Sequence, residues 1–224
     1  DQRRMIEVIR DSSYFLMGII DDILDASKIE AGKLELEKTS FPLVPAIEKT
    51  AESLAIQALN NNVQLMIYTD PELPDCIESD PLRLRQILLN LLSNAIKFAK
   101  RDDELRGTVE LEIAPAEGGA LRFSVRDDGI GMSKETIDRL FTPFNQGEAS
   151  TTRRFGGTGL GLVIVQNLVM LLGGSMEVIS AKGQGATFTV TLPMEPVPGM
   201  RALSEVEGVH LVAQAGTLVF SDRI

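Results

Sequence analysis

The sequence predicts an α+β fold, a two-layer sandwich in which helices cover one face of a mixed, mostly antiparallel sheet, preceded by a long N-terminal helix. From residue 41 onward, stretches with a helical period alternate with stretches that have a strand period. Glycine-containing turns at 117–119 and 182–185 predict strand hairpins. The 224 residues are 44% hydrophobic and 24% charged, which is typical of a folded chain with a substantial core.

The first 40 residues are predicted to form one long helix. Apolar and small residues recur at alternating spacings of four and three from Met5 to Ala26, as in a heptad seam, and no proline occurs before Pro42. Such a stripe on a lone helix would expose a large apolar surface, so it needs a partner. We therefore expect a dimerising or bundle-forming arm; the alternative is a core helix of the domain that follows.

Shorter elements follow the arm. The predicted helices are Val44–Asn62, Pro81–Ala99, Lys134–Leu140 and Leu160–Leu172. The predicted strands are Gln64–Thr69, Thr108–Ala114, Leu121–Asp127, Ser175–Ile179 and Ala186–Leu192.

Residues 196–224 are predicted to be a linker and tail. Prolines and a glycine at 196–199 break the pattern, and the residues beyond them are too few for a domain of their own. The apolar run Val209–Ala213 is either part of this tail or the first strand of a truncated, receiver-like domain. The only histidine, His210, lies far from every motif and is expected to be incidental.

The composition excludes several classes of protein. The net charge of −10 argues against a nucleic-acid binder and against contact with an anionic membrane. One cysteine, Cys76, and one histidine exclude a disulfide framework and a multi-His or Cys-based metal centre. No apolar run reaches 18 residues, so we expect no membrane contact by this chain and a reducing, cytoplasmic location.

A polar stripe interrupts the predicted helix 81–99. Asn90, Asn94 and Lys97 are spaced four and three apart and so share one face of a helix that is otherwise largely apolar. Carboxamide oxygens are suitable neutral ligands for Mg²⁺, and an ammonium group attracts phosphate. The stripe therefore favours a site for a metal-chelated phosphate, with an ordinary solvent face as the alternative.

Asp127 ends a predicted strand and is followed by Gly129 and Gly131. Glycines at this spacing let the backbone turn sharply and approach a flat ligand. A carboxylate there would accept a hydrogen bond worth about 1.5–3 kcal/mol from an exocyclic amine and would reject an oxo group. The alternative is an ordinary Asp-Gly turn.

The segment from 141 to 154 is predicted to be a lid. Phe141 and Phe144 would anchor a polar loop that ends at Arg153 and Arg154, and either arginine can reach a phosphate. The alternative is a plain surface loop.

A glycine-rich turn then leads directly into the last predicted helix. Free N–H groups at a helix N-terminus bind phosphate, and glycines clear the approach. The turn follows a polar loop and not a strand, unlike the Rossmann fingerprint, and no P-loop motif occurs. Its residues are Gly156, Gly157, Thr158, Gly159, Leu160, Gly161 and Leu162.

Taken in order, these four segments resemble the N, G1, F and G2 boxes of sensor histidine kinases. The matching patterns are Asn90-x-x-x-Asn94, Asp127-x-Gly129-x-Gly131, Phe141-x-x-Phe144 and Gly157-x-Gly159-x-Gly161-Leu162. Residues 20–32 resemble the second helix of that family's dimerisation and phosphotransfer hairpin, and 180–188 resemble the hairpin that closes its ATP-binding domain. The resemblance implies a Bergerat ATP-binding fold of the GHKL superfamily at 41–195, preceded by the hairpin's second helix at 1–40.

The resemblance also implies a ligand and roles for the residues. ATP would bind with Mg²⁺, Asp127 would accept from the adenine amino group, and Gly129 and Gly131 would border the base. Asn90 and Asn94 would hold Mg²⁺ and its phosphates, assisted by Lys97.

The remaining phosphate contacts would come from the lid and the glycine-rich turn. Arg153 or Arg154 would neutralise charge near the γ-phosphate, and both are kept as candidates. The other residues implied in nucleotide binding are Phe144, Gly157, Thr158, Gly159, Leu160 and Gly161.

Asn90 bears on the type of reaction. ATPases of the wider superfamily, such as type II topoisomerases, Hsp90-like chaperones and MutL-like repair proteins, place a glutamate at this position as a base for water. A carboxamide cannot accept that proton. We therefore expect transfer of the γ-phosphoryl group to a nucleophile, with steady hydrolysis as one alternative and a pseudo-kinase docking module without transfer as another.

The family's phosphoacceptor is a histidine on the first helix of the hairpin, and no histidine precedes His210 here. We expect that first helix to precede Asp1 in a longer parent chain, so autophosphorylation at the usual position is not expected within these 224 residues. The implied partners are a histidine phosphoacceptor helix and a response regulator or receiver domain. The resemblance further implies that the full-length protein is a homodimer. It is compatible with a parent that is a hybrid kinase and with a parent that is anchored to a membrane.

Overall fold

The computed structural model describes most of the chain. The described residues are 5–6, 9, 13, 16–18, 20, 23–25, 27–29, 31–99, 106–142, 159–197 and, for the backbone alone, 208–213.

The N-terminal arm, residues 5–32, is helical at each described position up to Ile29. Its end is a left-handed turn at Gly32, with φ of 62°, and the Lys33 N–H donates to the Lys28 carbonyl at 2.9 Å, as in a Schellman motif. The predicted helix over the first 40 residues is therefore too long, because residues 33–38 are irregular and a strand begins at Thr39.

Nine strands and five helices follow the arm within the described residues. Strands β1 to β9 are Thr39–Pro42, Val63–Thr69, Cys76–Ser79, Gly107–Pro115, Ala120–Asp127, Ser175–Ser180, Ala186–Pro193, Glu195–Pro196 and Gly208–Ala213. Helices α1 to α5 are Leu43–Glu52, Ala55–Asn60, Pro81–Phe98, Lys134–Asp138 and Gly161–Leu171, and Glu117–Gly119 forms a 3₁₀ turn.

The main sheet has six strands in the order β6-β7-β5-β4-β2-β9. Only β2 and β4 pair in parallel; the other neighbours are antiparallel. Both predicted hairpins, β4–β5 and β6–β7, are present. The predicted fold class is confirmed: a mixed, mostly antiparallel sheet combined with helices.

The core lies between the sheet and the helices. Buried and exposed residues alternate along β4 and β5, so one sheet face is covered and the other faces solvent. Helix α3 is the central helix and packs against α1, α5, β4 and β5. Its buried residues are Leu84, Ile87, Leu88, Leu91, Leu92, Ala95 and Ile96.

A second sheet of three short strands, β1-β3-β8, was not predicted. Strand β1, which precedes α1, and strand β8, which follows β7, both pair antiparallel with β3, one on each side of it. Immediately after β3, the buried Asp80 caps α3 by accepting hydrogen bonds from the Leu82 and Arg83 N–H groups at 3.0 Å each.

Two further predictions need correction. The single helix predicted at Val44–Asn62 is two helices, α1 and α2, because the chain turns at Ser53, whose hydroxyl donates to the Thr50 carbonyl at 2.6 Å. The apolar run Val209–Ala213 does form a strand, but in the structure it pairs with β2 of this same sheet. The division of the chain at residues 40 and 195 stays a prediction.

Candidate functional site

The polar stripe predicted on α3 is present. Asn90, Asn94 and Lys97 are all half-buried. The Asn90 side-chain NH₂ donates to the Gln86 carbonyl at 3.1 Å, one turn back along the helix. Since the NH₂ group is held by the helix itself, the amide oxygen of Asn90 is directed away from it.

That oxygen lies against the first residue of α5. A Cβ added to Gly161 would lie 2.7 Å from Asn90 Oδ1, closer than real Cβ atoms approach an oxygen. Glycine at 161 therefore leaves room for the Asn90 carboxamide beside the N-terminus of α5, where free backbone N–H groups favour anions. The stripe and the glycine-rich turn, 71 residues apart in sequence, meet at this point.

Lys97 lies at the other end of the stripe. Its Nζ is 4.9 Å from the centroid of the neighbouring Phe98 ring. Burial lowers the pKa of Lys97 from its usual value of 10.5, because partial removal from water disfavours the ammonium form. An anion brought to this end of α3 would favour the ammonium form of Lys97 and be attracted by it.

Asp127 is buried at the C-terminal end of β5, with 5% of its surface exposed. Its Oδ1 accepts a hydrogen bond from the Gly129 N–H at 2.8 Å, and the carboxylate also accepts from the Ala186 N–H. Burial raises the pKa of Asp127 above its usual 3.8; the two backbone hydrogen bonds oppose that rise, and neighbouring Asp128 adds to it. The structure thus holds a fixed, poorly solvated acceptor at the end of a central strand.

The glycines after Asp127 have an internal packing role that the sequence did not indicate. A Cβ on Gly129 would lie 2.0 Å from the Phe98 carbonyl oxygen, and one on Gly131 would lie 1.9 Å from the Ala181 carbonyl oxygen. Gly131 also has a φ of 61°, in the left-handed region. Both glycines are needed for the chain's own backbone packing, and their proximity to a base stays a prediction.

Two contacts attach this loop to its neighbours. The Ile130 N–H donates to the Phe98 carbonyl at 3.3 Å, which places the loop at the C-terminal end of α3. Ser180 attaches the other side: its hydroxyl accepts from the Met132 N–H at 2.9 Å and donates to the Gly185 carbonyl at 2.7 Å. The β6–β7 hairpin therefore holds the loop that follows Asp127.

Three of the four predicted segments consequently converge. The Asp127 loop lies at the C-terminal end of α3, the polar stripe runs along α3, and the start of α5 meets the stripe at Asn90. Gly159, with φ of 71°, immediately precedes this junction. The Leu160 side chain lies in the hydrophobic core, at 3% exposure, and the contact of this residue with the nucleotide stays a prediction.

Several predicted site residues lie outside the described residues, and the structure says nothing of them: Phe144, Arg153, Arg154, Gly157 and Thr158.

Sequence reasoning missed Ser180 as a residue that holds the site, although it begins the segment 180–188 that carries the hairpin resemblance. It also missed Gln86, whose carbonyl orients Asn90. The signal available for Gln86 was its position four residues before Asn90, on the same face of α3.

Within the described ranges, no three His, Cys, Asp or Glu side chains come together as a metal site. The donors that suit Mg²⁺ are the neutral carboxamides of the stripe. No helix in the described part of the chain is both long enough and apolar enough to cross a bilayer.

The sequence is similar to those of known proteins. Residues 79–196 match the family model described as histidine kinase-, DNA gyrase B- and HSP90-like ATPase. The chain is 41% identical over 196 residues to the autoinducer 2 sensor kinase/phosphatase LuxQ of Vibrio parahaemolyticus, covering 87% of this chain and 23% of that protein. It is 41% identical over 218 residues to the circadian input-output histidine kinase CikA of Synechococcus elongatus, covering 94% of this chain and 28% of that protein.

A solved structure is similar over nearly the same range. Full-length ShkA in complex with AMPPNP matches with a TM-score of 0.75 and 32% identity, over 88% of this chain and 39% of that one. The chain therefore spans about a quarter of the length of the curated relatives named above.

Proposed function

The chain belongs to the histidine kinase-, DNA gyrase B- and HSP90-like ATPase family, and from that membership we propose that it is the catalytic part of a sensor histidine kinase. It binds ATP with Mg²⁺ and transfers the γ-phosphoryl group to a histidine that lies outside these 224 residues. The observation that supports this best is the junction of Asn90 Oδ1 with Gly161, which joins a neutral oxygen ligand to the anion-favouring end of a helix.

The site residues divide between the two ends of a nucleotide. Asp127 accepts from the adenine amino group at the C-terminal end of α3. Asn90 and Asn94 hold Mg²⁺, and the start of α5 attracts the phosphates. Lys97, which lies nearer the base end of the stripe, assists at the phosphate that adjoins the nucleoside. Bound Mg²⁺ supplies charge neutralisation at the phosphate oxygens.

The fit of such a ligand to these residues rests on two features of the described structure. A Cβ at 161 would fill the space in front of Asn90 Oδ1, so a side chain there would obstruct the carboxamide. The carboxylate of Asp127 is buried against backbone donors at the end of its strand and keeps lone pairs for a further donor. The lid residues Phe144, Arg153, Arg154, Gly157 and Thr158 remain part of the proposal on sequence grounds.

The proposed step is an in-line displacement. An imidazole nitrogen forms a bond to the γ-phosphorus as the bond from that phosphorus to the bridging oxygen of ADP breaks, and ADP leaves with the electron pair. The chain contributes positioning and charge neutralisation. Because Asn90 cannot take a proton from water, transfer is favoured over hydrolysis.

The proposed partners are the acceptor helix and a response regulator or receiver domain. The full-length protein is proposed to be a homodimer. The relatives named above carry kinase names, which favours transfer over the docking-module alternative.

The proposal is tested with the 224-residue chain in two stages. The first measures Mg-ATP affinity by calorimetry for the wild type, Asp127→Asn and the control Glu117→Gln, whose exposed side chain lies at the opposite end of β5 from Asp127. We expect Asp127→Asn to lose at least about tenfold in affinity, the effect of one charge-assisted hydrogen bond, and the control to be unchanged. Equal affinities for all three proteins would contradict the adenine assignment.

The second stage supplies a separate acceptor hairpin and ATP labelled at the γ-phosphate. Label on the hairpin histidine, absent when Asn90→Asp replaces the carboxamide, is the expected result. Nucleotide binding without any labelled hairpin would favour the docking module, and steady release of free phosphate without the hairpin would favour an ATPase.

A further inference from the structure

Among the described residues of the N-terminal arm, Asp25 makes polar contacts with α3. Asp25 Oδ2 accepts from Gln86 Nε2 at 2.7 Å and from an Arg83 guanidinium nitrogen at 3.3 Å. Arg83 also donates to Gln86 Oε1 at 2.9 Å, so the three side chains form a closed cluster. Both charged members are largely removed from water, with side-chain exposures of 16% for Arg83 and 17% for Asp25.

This cluster is a continuation of the nucleotide stripe. Arg83 and Gln86 precede Asn90 by seven and four residues, so they lie on the same face of α3 as Asn90, Asn94 and Lys97. The C-terminal part of the face belongs to the proposed nucleotide site, and the N-terminal part binds the arm.

The structure also gives the stripe a direction. The Asp127 loop, proposed for adenine, abuts Phe98 at the C-terminal end of α3. Asn90, proposed for the phosphates, precedes Phe98 by eight residues, about 12 Å along the helix axis. Gln86 and its bond to Asp25 are one further turn away, about 6 Å beyond Asn90 in the same direction. The arm contact therefore lies at the end of the stripe farthest from the base.

We propose that Asp25 is a specificity-determining residue that lowers the preference of the site for ATP over ADP. The inference rests on the proposed function, because it requires a nucleotide oriented along the stripe. ATP and ADP share their base end and differ by the terminal phosphoryl group, which is the part nearest the arm contact. Asp25 affects that group in two ways: its negative charge opposes further negative charge, and it occupies the guanidinium of Arg83.

The second effect depends on the hydrogen-bond donors and the charge of Arg83. Its Nε is buried and donates to no residue in the described part of the chain. The guanidinium thus sits on the nucleotide face with its charge balanced by Asp25 alone in this cluster. Removing the charge of Asp25 leaves that positive charge uncompensated at the end of the stripe, where it favours the more negative nucleotide.

The test compares Mg-ATP and Mg-ADP affinities, measured by calorimetry on the 224-residue chain. Asp25→Asn keeps a hydrogen-bond acceptor and removes the charge; Glu117→Gln removes the same charge from an exposed turn far from the stripe. We expect Asp25→Asn to raise the ATP-to-ADP affinity ratio by at least about fivefold, the lower end of ordinary coupling between neighbouring sites, with ADP affinity changed less than twofold. Raising the salt concentration should diminish this gain, since part of the effect is electrostatic.

The unchanged ADP affinity also verifies that the variant is folded. A ratio that stays within twofold of the wild type, or that falls, would overturn the inference and leave the proposed function standing. Binding of neither nucleotide by the wild-type chain would instead overturn the proposed function, and the inference with it. A second variant, Arg83→Gln, should move the ratio in the opposite direction, and a rise there would also contradict the role given to Asp25.

Discussion

The amide oxygen of Asn90 occupies the space that a side chain on Gly161 would need. The 2.7 Å separation between Asn90 Oδ1 and a Cβ built on Gly161 links the central helix α3 to the start of α5 through two residues that carry no charge. It follows that the orientation of a proposed metal ligand depends on the absence of a methyl group on the facing helix.

Gly161→Ala should weaken nucleotide binding with little change in the stability of the fold. The atom that must give way is the far end of the Asn90 side chain, which can rotate, and alanine is favoured over glycine inside a helix. We expect the free energy of unfolding to change by less than about 1 kcal/mol, while Mg-ATP affinity falls roughly tenfold or more, as when a metal ligand loses its orientation. Urea unfolding and calorimetry measure the two quantities.

The matched control is Gly18→Ala in the helical arm, where an added Cβ meets nothing within 4 Å. It should leave nucleotide affinity unchanged. If Gly161→Ala bound Mg-ATP as tightly as the wild type, the orientation that Gly161 permits for Asn90 would have no role in holding the metal.

Asp80 should contribute strongly to stability where the chain leaves the arm and enters the domain. Its Oδ1 caps α3, and its Oδ2 accepts from the Glu37 N–H at 3.0 Å, so one buried carboxylate holds both the helix and the incoming chain. Asp80→Ala removes the cap and leaves buried donors unsatisfied, and we expect a loss of about 2–4 kcal/mol in the free energy of unfolding.

Asp80→Asn gives an internal comparison by urea unfolding. Asparagine retains the capping oxygen but turns an NH₂ group toward the Glu37 N–H, so its loss should lie between those of the wild type and Asp80→Ala. Equal losses for the two variants would mean that the cap on α3 contributes nothing.

The parts of the fold that could be predicted are those in which a period is repeated several times. The 18 residues of α3 contain five turns of apolar spacing, and β4 and β5 alternate along their full length, so both types of element follow from the sequence alone. The three-stranded sheet could not be predicted, because β8 has two residues, β1 contains Pro42, and each strand is defined only by its neighbour.

The candidate site also has a part that could be predicted from the sequence and a part that could not. The stripe of Asn90, Asn94 and Lys97 could be found because helical spacing places the three on one face. The reasons for Gly129 and Gly131 could not, since the atoms that exclude a side chain there belong to Phe98 and Ala181, which are distant in sequence. The same holds for the contact of Asp25 with Arg83, 58 residues away.

Ser180→Ala tests whether the β6–β7 hairpin holds the nucleotide loop. The variant leaves the Met132 N–H and the Gly185 carbonyl without their shared partner, and we expect about 1–2 kcal/mol of lost stability. Because the loop that follows Asp127 would be less well ordered, ATP and ADP affinities should fall together by a few-fold. A parallel fall is expected since both nucleotides share the base end of the site.

Ser124→Ala is the matched control for Ser180. Its hydroxyl bonds to the Thr189 hydroxyl at 3.0 Å, at a position of β5 that faces away from the core. It should lose comparable or less stability and retain full nucleotide affinity. A loss of affinity in both variants would show that the effect of Ser180 is a general loss of stability and not a loss of loop position.

The pH dependence of Asp127 should differ in sign between stability and binding. Burial raises the pKa of Asp127 in the folded chain above the usual 3.8, so the folded state takes up the proton first as the pH falls. The contribution of this carboxyl to the free energy of unfolding therefore increases as the pH falls from the raised value to 3.8 and is lost as the pH rises again.

Nucleotide affinity should decrease as the pH falls, because a protonated carboxyl is a poorer acceptor for the adenine amino group. Affinity is measured by calorimetry at successive pH values. As the pH is lowered, the affinity of the wild type should begin to decrease at a pH above the usual titration range of an aspartate. Asp127→Asn should show no such step, because it retains the titration of the nucleotide and lacks that of the carboxyl. The same step in both proteins would assign it to the nucleotide, and Asp127 would then not be the group that recognises adenine.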